Sequence, residues 1–206
     1  PFGGSELDGI LINFPSQYRT KETADLFMTL IHTRLKMGGR AAVVYPASPV
    51  GDGIKKRIVK RLVEECNLHT ILQLPPSTFA PYAAIGTNVL FFTKGETTTE
   101  TWFYQHPLPV GYKAYSKTKP IQLSEFEAER AWWKNREENE QAWKVSIDEI
   151  INSNYGIFEW TNPNTPTIEL EDAKLSKSRY ESRTNEVNEL LNSFKSKLES
   201  CLFQDD

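Results

Sequence analysis

The residues most able to do chemistry fall in two loops of one stretch, Lys36 to Lys94. The first loop holds Gly51-x-Gly53, followed by an amphipathic segment with Lys55, Lys56, Arg57, Lys60 and Arg61 on one face. Backbone N–H groups at a helix start can cradle a phosphate. A lone GxG is equally ordinary turn chemistry, and charge runs on amphipathic helices are usually just solvated. The second loop, PPSTFAPYAAIGTN, holds Phe79, Tyr82, Thr87 and Asn88. It is too long and too aromatic for a mere connector, and loops of this length are often functional. Its aromatics could instead only cover the sheet end that they cap. The residues alone leave both readings open.

Those loops need elements to hold them. Three short apolar runs, Ala41–Tyr45, Thr70–Leu74 and Asn88–Thr93, are bounded by Gly and Pro and read as buried strands of an α/β sheet. In such sheets ligands sit outside the carboxyl ends of the strands, so the loops after Tyr45 and Leu74 face the chemistry. Upstream, Thr20 is expected to cap a helix with Glu22 and Asp25 in its first turn. Ala24, Phe27, Leu30, Ile31 and Leu35 form its core-facing stripe, and Gly38-Gly39 ends it. Asp52-Gly53 opens a second helix that buries Ile54, Ile58, Val59, Leu62 and Val63. Lys94-Gly95 is expected to end this sheet.

After Gly95 the composition shifts. TTTETWFYQH reads as an edge strand and HPLPVGYKAYSKTKP as an extended arm. Ser124-Glu125 opens a charged helix carrying Phe126, Trp132 and Trp133, and Ser146 caps a short one. Trp132, Trp133 and Trp143 are expected to anchor this extension on the sheet. Asn162 to Pro166 reads as a linker. A last helix, about Ser182 to Phe203, carries Val187, Leu190, Leu191, Phe194, Leu198, Cys201 and Leu202 along one face, suited to a partner helix or an intramolecular core. The expected division is 1–95, 96–160 and 161–206.

A net charge of −3 over 206 residues gives no global reason to expect nucleic acid, although a local basic face fits it. Cys66 and Cys201 are too few for a disulfide framework and have no CxxC or neighbouring His, so a reducing cytoplasm and no structural metal are expected. No apolar run reaches the roughly 18 residues of a membrane span, and no signal peptide is evident. The chain begins at Pro1, inside what reads as a loop, and is expected to be a piece of a larger protein.

From Pro1 onward the chain resembles the modification (methyltransferase) subunit of type I restriction–modification systems. That family carries Asn-Pro-Pro-Phe followed by two glycines, and PFGG at residues 1–4 is similar to its second half. The resemblance continues through FPSQYRTKETADLF, GGRAAVVYP, RLVEECNLHTILQLP, FAPYAAIGTNVLFFTKG, YKAYSKTKP and WWKNREENEQAWKVSIDEI, and fades after about Tyr155. It implies the C-terminal half of a Rossmann-like S-adenosylmethionine-dependent fold with a mostly helical C-terminal extension.

It also implies the chemistry. An exocyclic adenine amine is a poor nucleophile because its lone pair is delocalised into the ring. The family flips the base into a pocket. There the Asn and Pro carbonyls accept the amine hydrogens and the aromatic residue stacks on the base. The methyl group comes from S-adenosyl-L-methionine, so the protein supplies mainly orientation.

Mapped onto this chain, Phe2 is the stacking aromatic and Pro1 the second motif proline. Phe79, Tyr82, Thr87 and Asn88 lie beside the target base, and Thr20, Glu22, Thr23 and Phe27 line the cofactor cleft. Lys55, Lys56 and Lys60 are candidates for the DNA backbone. The motif Asn and the family's glycine-rich cofactor loop are not in this chain. These residues alone are therefore not expected to bind S-adenosylmethionine appreciably or to methylate DNA. Asn13-Phe14-Pro15 only superficially resembles the motif, because it lacks Pro at the second position. The implied partners are DNA, the specificity and restriction subunits, and a second modification subunit.

Two other classes stand beside this one: a non-catalytic module docking a specificity subunit, and half of a nucleotide-binding dehydrogenase. The last lacks an acidic ribose partner after a glycine fingerprint.

Overall fold

The computed structural model describes residues 4, 8–51, 53–83, 85–158, 160–165 and 173–202. Pro1 and Phe2 lie outside them. The chain divides into two compact units, Pro1–Thr165 and Pro166–Asp206.

In the first unit a short helix α1 (Asp8–Leu11) and a 3-10 turn lead to α2 (Thr23–Arg34) and β1 (Arg40–Pro46). Then come α3 (Ile54–Glu65), β2 (Cys66–Leu74), β3 (Thr87–Lys94), β4 (Glu100–Gln105), α4 (Glu127–Lys134), β5 (Ala142–Ser146) and α5 (Ile147–Asn152). The five strands form one mixed sheet in the order β1-β3-β2-β4-β5. β3 is antiparallel to both β1 and β2, and β2 is parallel to β4. The carboxyl ends of β1, β2 and β4 therefore share one end of the sheet.

The alternation of strand side chains builds two layers. On one face Leu68, Ile71, Leu90, Phe92 and Phe103 pack against Met28 of α2, Ile58 and Leu62 of α3, and Ile150 of α5. On the other, Trp102 and Tyr104 meet Trp132 of α4, with ring centroids 5.6 and 5.0 Å apart. Trp133 sits 4.8 Å from Phe91, and Trp143 stacks on Phe103 at 5.2 Å. Of the three tryptophans Trp133 reaches back to β3 at Phe91, whereas Trp132 and Trp143 pack on β4, within the 96–160 stretch itself.

Several sequence expectations need correction. The sheet does not end at Lys94-Gly95, and β4 is no edge, because β5 pairs with it from Glu100↔Ser146 to Tyr104↔Ala142. The α2 stripe is turned by about one residue: Phe27 is 42% and Leu30 39% exposed, while Asp25, Thr29 and His32 are buried. Asp25 and Thr29 find partners within the fold, while the His32 ring nitrogens are buried without a hydrogen-bond partner among the described residues. The Thr29 hydroxyl donates to the Asp25 carbonyl at 3.0 Å, and the Tyr45 hydroxyl donates to the Asp25 carboxylate. Thr20 is not the helix cap; its hydroxyl accepts from the Glu22 N–H at 3.1 Å, one turn before the helix. α2 ends at Arg34, ahead of Gly38-Gly39. Gly38, at φ +73°, instead turns the chain into β1, and its N–H donates to the Lys94 carbonyl.

In the second unit, helix α6 (Ala173–Leu202) is 30 residues long and starts ahead of the expected Ser182. Its Val187, Leu190, Leu191 and Phe194 are exposed. Among the described residues no helix is long and apolar enough to cross a membrane.

Candidate functional site

At the shared end of the sheet lies a cleft of about 910 Å³, formed by three segments that leave or enter it. The α2 entry contributes Thr20, Glu22 and Asp25; the loop after β1 contributes Ser48 and Val50, and the start of α3 Lys55; the loop after β2 contributes Tyr82 and Ile85. A rule about strand ends thus located the cleft correctly from three apolar runs.

Asp25 lines the cleft and belongs to a buried pair beneath it. Asp25 lies at the start of α2 and Tyr45 at the end of β1, and the phenol donates to the carboxylate. Burial first, and then the Asp25 carboxylate, push the Tyr45 phenol far above its ordinary range, so it stays a donor at any working pH. Phe158 packs on the Tyr45 ring at 5.2 Å between centroids. Above that ring, at 5.8 Å from its centroid, stands the Lys55 ammonium, which also donates to the Ser48 hydroxyl. The cleft thus has a carboxylate fixed from beneath by a phenol, with one cation held at the α3 side.

The loop from β2 to β3 is built of successive turns. N–H groups of Thr78, Ala80 and Tyr82 donate to the carbonyls of Pro75, Ser77 and Phe79. Its tip carries Tyr82 outward, with the ring 91% exposed at the cleft rim. The Ala47 N–H donates to the Gly86 carbonyl at 2.8 Å, which ties the two site loops together.

Of the sequence-selected residues, Thr20, Glu22, Tyr82 and Lys55 meet in the cleft. Phe27 points to solvent and Phe79 is half-buried; neither lines the cleft. Lys60 pairs with Glu64 at 3.6 Å, and Lys56 is half-buried outside the cleft. On the same helix, Arg57 donates to the Gln17 carbonyl and Arg61 lies 5.1 Å from the Tyr18 ring. The basic face of α3 is thus largely engaged by the chain itself. Thr23, Thr87 and Asn88 are buried, and their Oγ1, Oγ1 and Nδ2 have no hydrogen-bond partner among the described residues.

Pro1 and Phe2 are not described, but Gly4 is. Its carbonyl accepts from the Thr23 N–H at 3.4 Å, and a Cβ at that position would come within 2.7 Å of Thr23 Oγ1. The glycine is therefore required by its close approach to the helix start that lines the cleft.

Sequence reasoning missed the Asp25–Tyr45 pair and Ser48. Asp25 read only as a first-turn acid, although it lies beside Ala24 on the buried row. Among the described residues no group of three or more His, Cys, Asp or Glu is placed to hold a metal ion.

The family description "N-6 DNA Methylase" matches residues 12–166. The type I restriction enzyme EcoEI methylase subunit of Escherichia coli is 49% identical over 98% of this chain. The chain spans 43% of that relative's length. A crystal structure of a modification subunit of a putative type I restriction enzyme from Vibrio vulnificus YJ016 superposes with a TM-score of 0.69 at 47% identity. It covers 73% of this chain and 33% of its own. A structure concerned with complex assembly and conformational transition of the type I R-M system gives a TM-score of 0.74 at 31% identity. The match takes in 97% of this chain and 44% of that one. These similarities extend through the mixed sheet and its covering helices.

Proposed function

The chain belongs to the N-6 DNA methylase family, and from that premise we propose that it is part of a DNA adenine-N6 methyltransferase subunit. The subunit acts in a cytoplasmic type I restriction–modification complex. The observation that carries this reading is the cleft at the carboxyl ends of β1 and β2, which gathers an outward aromatic, a fixed cation and a buried carboxylate. An extruded adenine offers a flat π face and a neighbouring phosphate, and the cleft rim offers Tyr82 and Lys55 to these. Stacking of a base on an aromatic ring contributes about 1–3 kcal/mol.

S-adenosylmethionine, when bound, supplies the methyl group as an electrophile. The carboxylates of Glu22 and Asp25 on the α2 side suit a cationic donor of that kind. Thr20 and Glu22 line that side, with Thr23 and Phe27 on the same helix start, while the main cofactor contacts come from elsewhere in the protein. Phe2, two residues before the Gly4 that abuts Thr23, stacks on the target base, with Pro1 as the second proline of the motif. Thr87 and Asn88, with unpartnered polar atoms at the head of β3, support the base side together with Phe79.

The exposed apolar row of α6 is a docking surface for the specificity subunit, in an assembly with the restriction subunit and a second modification subunit. Replacing Leu190 and Phe194 by Asp should weaken that assembly in sedimentation runs; unchanged association removes this assignment.

The reading is tested with the intact protein. Phe2→Ala should lower methyl transfer to unmodified DNA while leaving calorimetric S-adenosylmethionine binding nearly unchanged. Wild-type turnover in that variant removes the assignment.

A further inference from the structure

The carboxyl end of β4 opens at the same end of the sheet as the cleft, and the chain continues from it as a basic arm. Between Thr101 and Ser124 there is no Asp or Glu, yet Lys113, Lys117 and Lys119 fall within that span. All three are exposed, and none has a carboxylate within ion-pair distance among the described residues. Lys119 stands 5.1 Å from the Tyr112 ring centroid. In a chain of net charge −3 this is a local reversal of sign.

The arm is held in place by buried polar groups. Tyr115 is buried, and its hydroxyl donates to Glu125 Oε2 at 2.6 Å. His106, at the end of β4, lies 3.2 Å from that hydroxyl through Nε2 and 2.5 Å from Glu129 Oε1 through Nδ1. Phe126 stacks on the imidazole at 4.6 Å. Glu125 and Glu129 are thus turned inward onto Tyr115 and His106, and neither they nor the exposed Glu127 is within ion-pair distance of the three lysines. The Tyr115 N–H donates to Ser77 Oγ at 2.8 Å, which fastens the arm to the loop that bears Tyr82. Past Tyr115 a tight turn closes with reciprocal Ser116 and Lys119 backbone bonds and presents Lys117 at its tip. Within this network Glu129 Oε2 has no hydrogen-bond partner among the described residues, while Glu129 Oε1, His106, Tyr115 and Glu125 are joined in one chain of contacts.

We propose that residues 112–119 form a phosphate-contacting arm that grips the DNA backbone beside the cleft through Lys113, Lys117 and Lys119. The proposal rests on the reading of the protein as a DNA methyltransferase and adds a surface that the basic face of α3 does not provide. Lysines are point charges without base preference, so the arm positions the duplex and reads no sequence. Its anchorage fixes the backbone of the arm, so that binding has only the three lysine side chains to order.

The experiment compares the intact assembled complex with its Lys113→Gln/Lys117→Gln/Lys119→Gln variant, measuring DNA affinity as a function of salt. Three lost phosphate contacts should lower the slope of log K against log[salt] by about 2–3. Replacement of all three by Arg should keep the slope, and the melting temperature should not move. If the wild type methylates DNA and the Gln variant keeps the wild-type slope, the arm proposal fails alone. If the wild-type complex neither binds nor methylates DNA, the methyltransferase reading fails and takes the arm with it.

Discussion

The Tyr45 hydroxyl donates to the Asp25 carboxylate across twenty residues of sequence, and this bond joins the end of β1 to the start of α2 beneath the cleft. It fixes the two walls of the site relative to each other. Tyr45→Phe leaves a buried carboxylate short of its donor, an omission worth about 1.5–3 kcal/mol for a hydrogen bond to a charged group. Denaturant unfolding should show that loss, and Asp25→Asn combined with Tyr45→Phe should recover part of it. A single-variant loss below about 0.5 kcal/mol would contradict this role.

Stability should also depend on pH through His32. Its ring is buried in α2, and burial, followed by the Arg61 charge, lowers its pKa from 6.5 to about 4, with the Glu65 carboxylate at 3.3 Å opposing. The folded protein thus binds fewer protons than the unfolded chain between these values. The group leaves stability intact above about 6.5, and stability falls as pH drops toward 4, by on the order of 2–3 kcal/mol. Unfolding free energies across that range should show the decline, and His32→Gln should flatten it. An equal slope in the variant refutes the assignment.

His106→Ala removes the imidazole that faces Glu129 and Tyr115. Removing a hydrogen-bond partner from the buried Glu129 side chain costs about 1–3 kcal/mol, and the arm should loosen with it. Hydrogen exchange of the Tyr115 and Lys119 amides should speed up far more than that of β2 amides. Equal protection in the variant would show that the network does not hold the arm.

The first four strands were legible because burial demands apolar runs, and those runs are short and bounded by Gly or Pro. β5 was missed: Ala142–Ser146 has Lys144 in its middle and comes directly after EENEQ, so its pairing with β4 is decided by tertiary context. The α2 face was misplaced because Asp25, Thr29 and His32 read as solvent-facing until their partners are known. Cleft position came from strand order and Lys55 from its cluster. The Asp25–Tyr45 and His106–Glu129 pairs join residues far apart in sequence, and no local pattern announces them.

The central claim is that the cleft below Tyr82 receives the target adenine. It is tested most directly by nucleoside mass spectrometry of DNA after reaction of the intact complex with a deuterated methyl donor. Wild type should place the label on adenine N6, and Tyr82→Ala should lower the single-turnover rate roughly 5- to 150-fold with melting unchanged, as loss of one base-stacking contact dictates. Label on another base, or a Tyr82→Ala rate equal to wild type, would contradict the account.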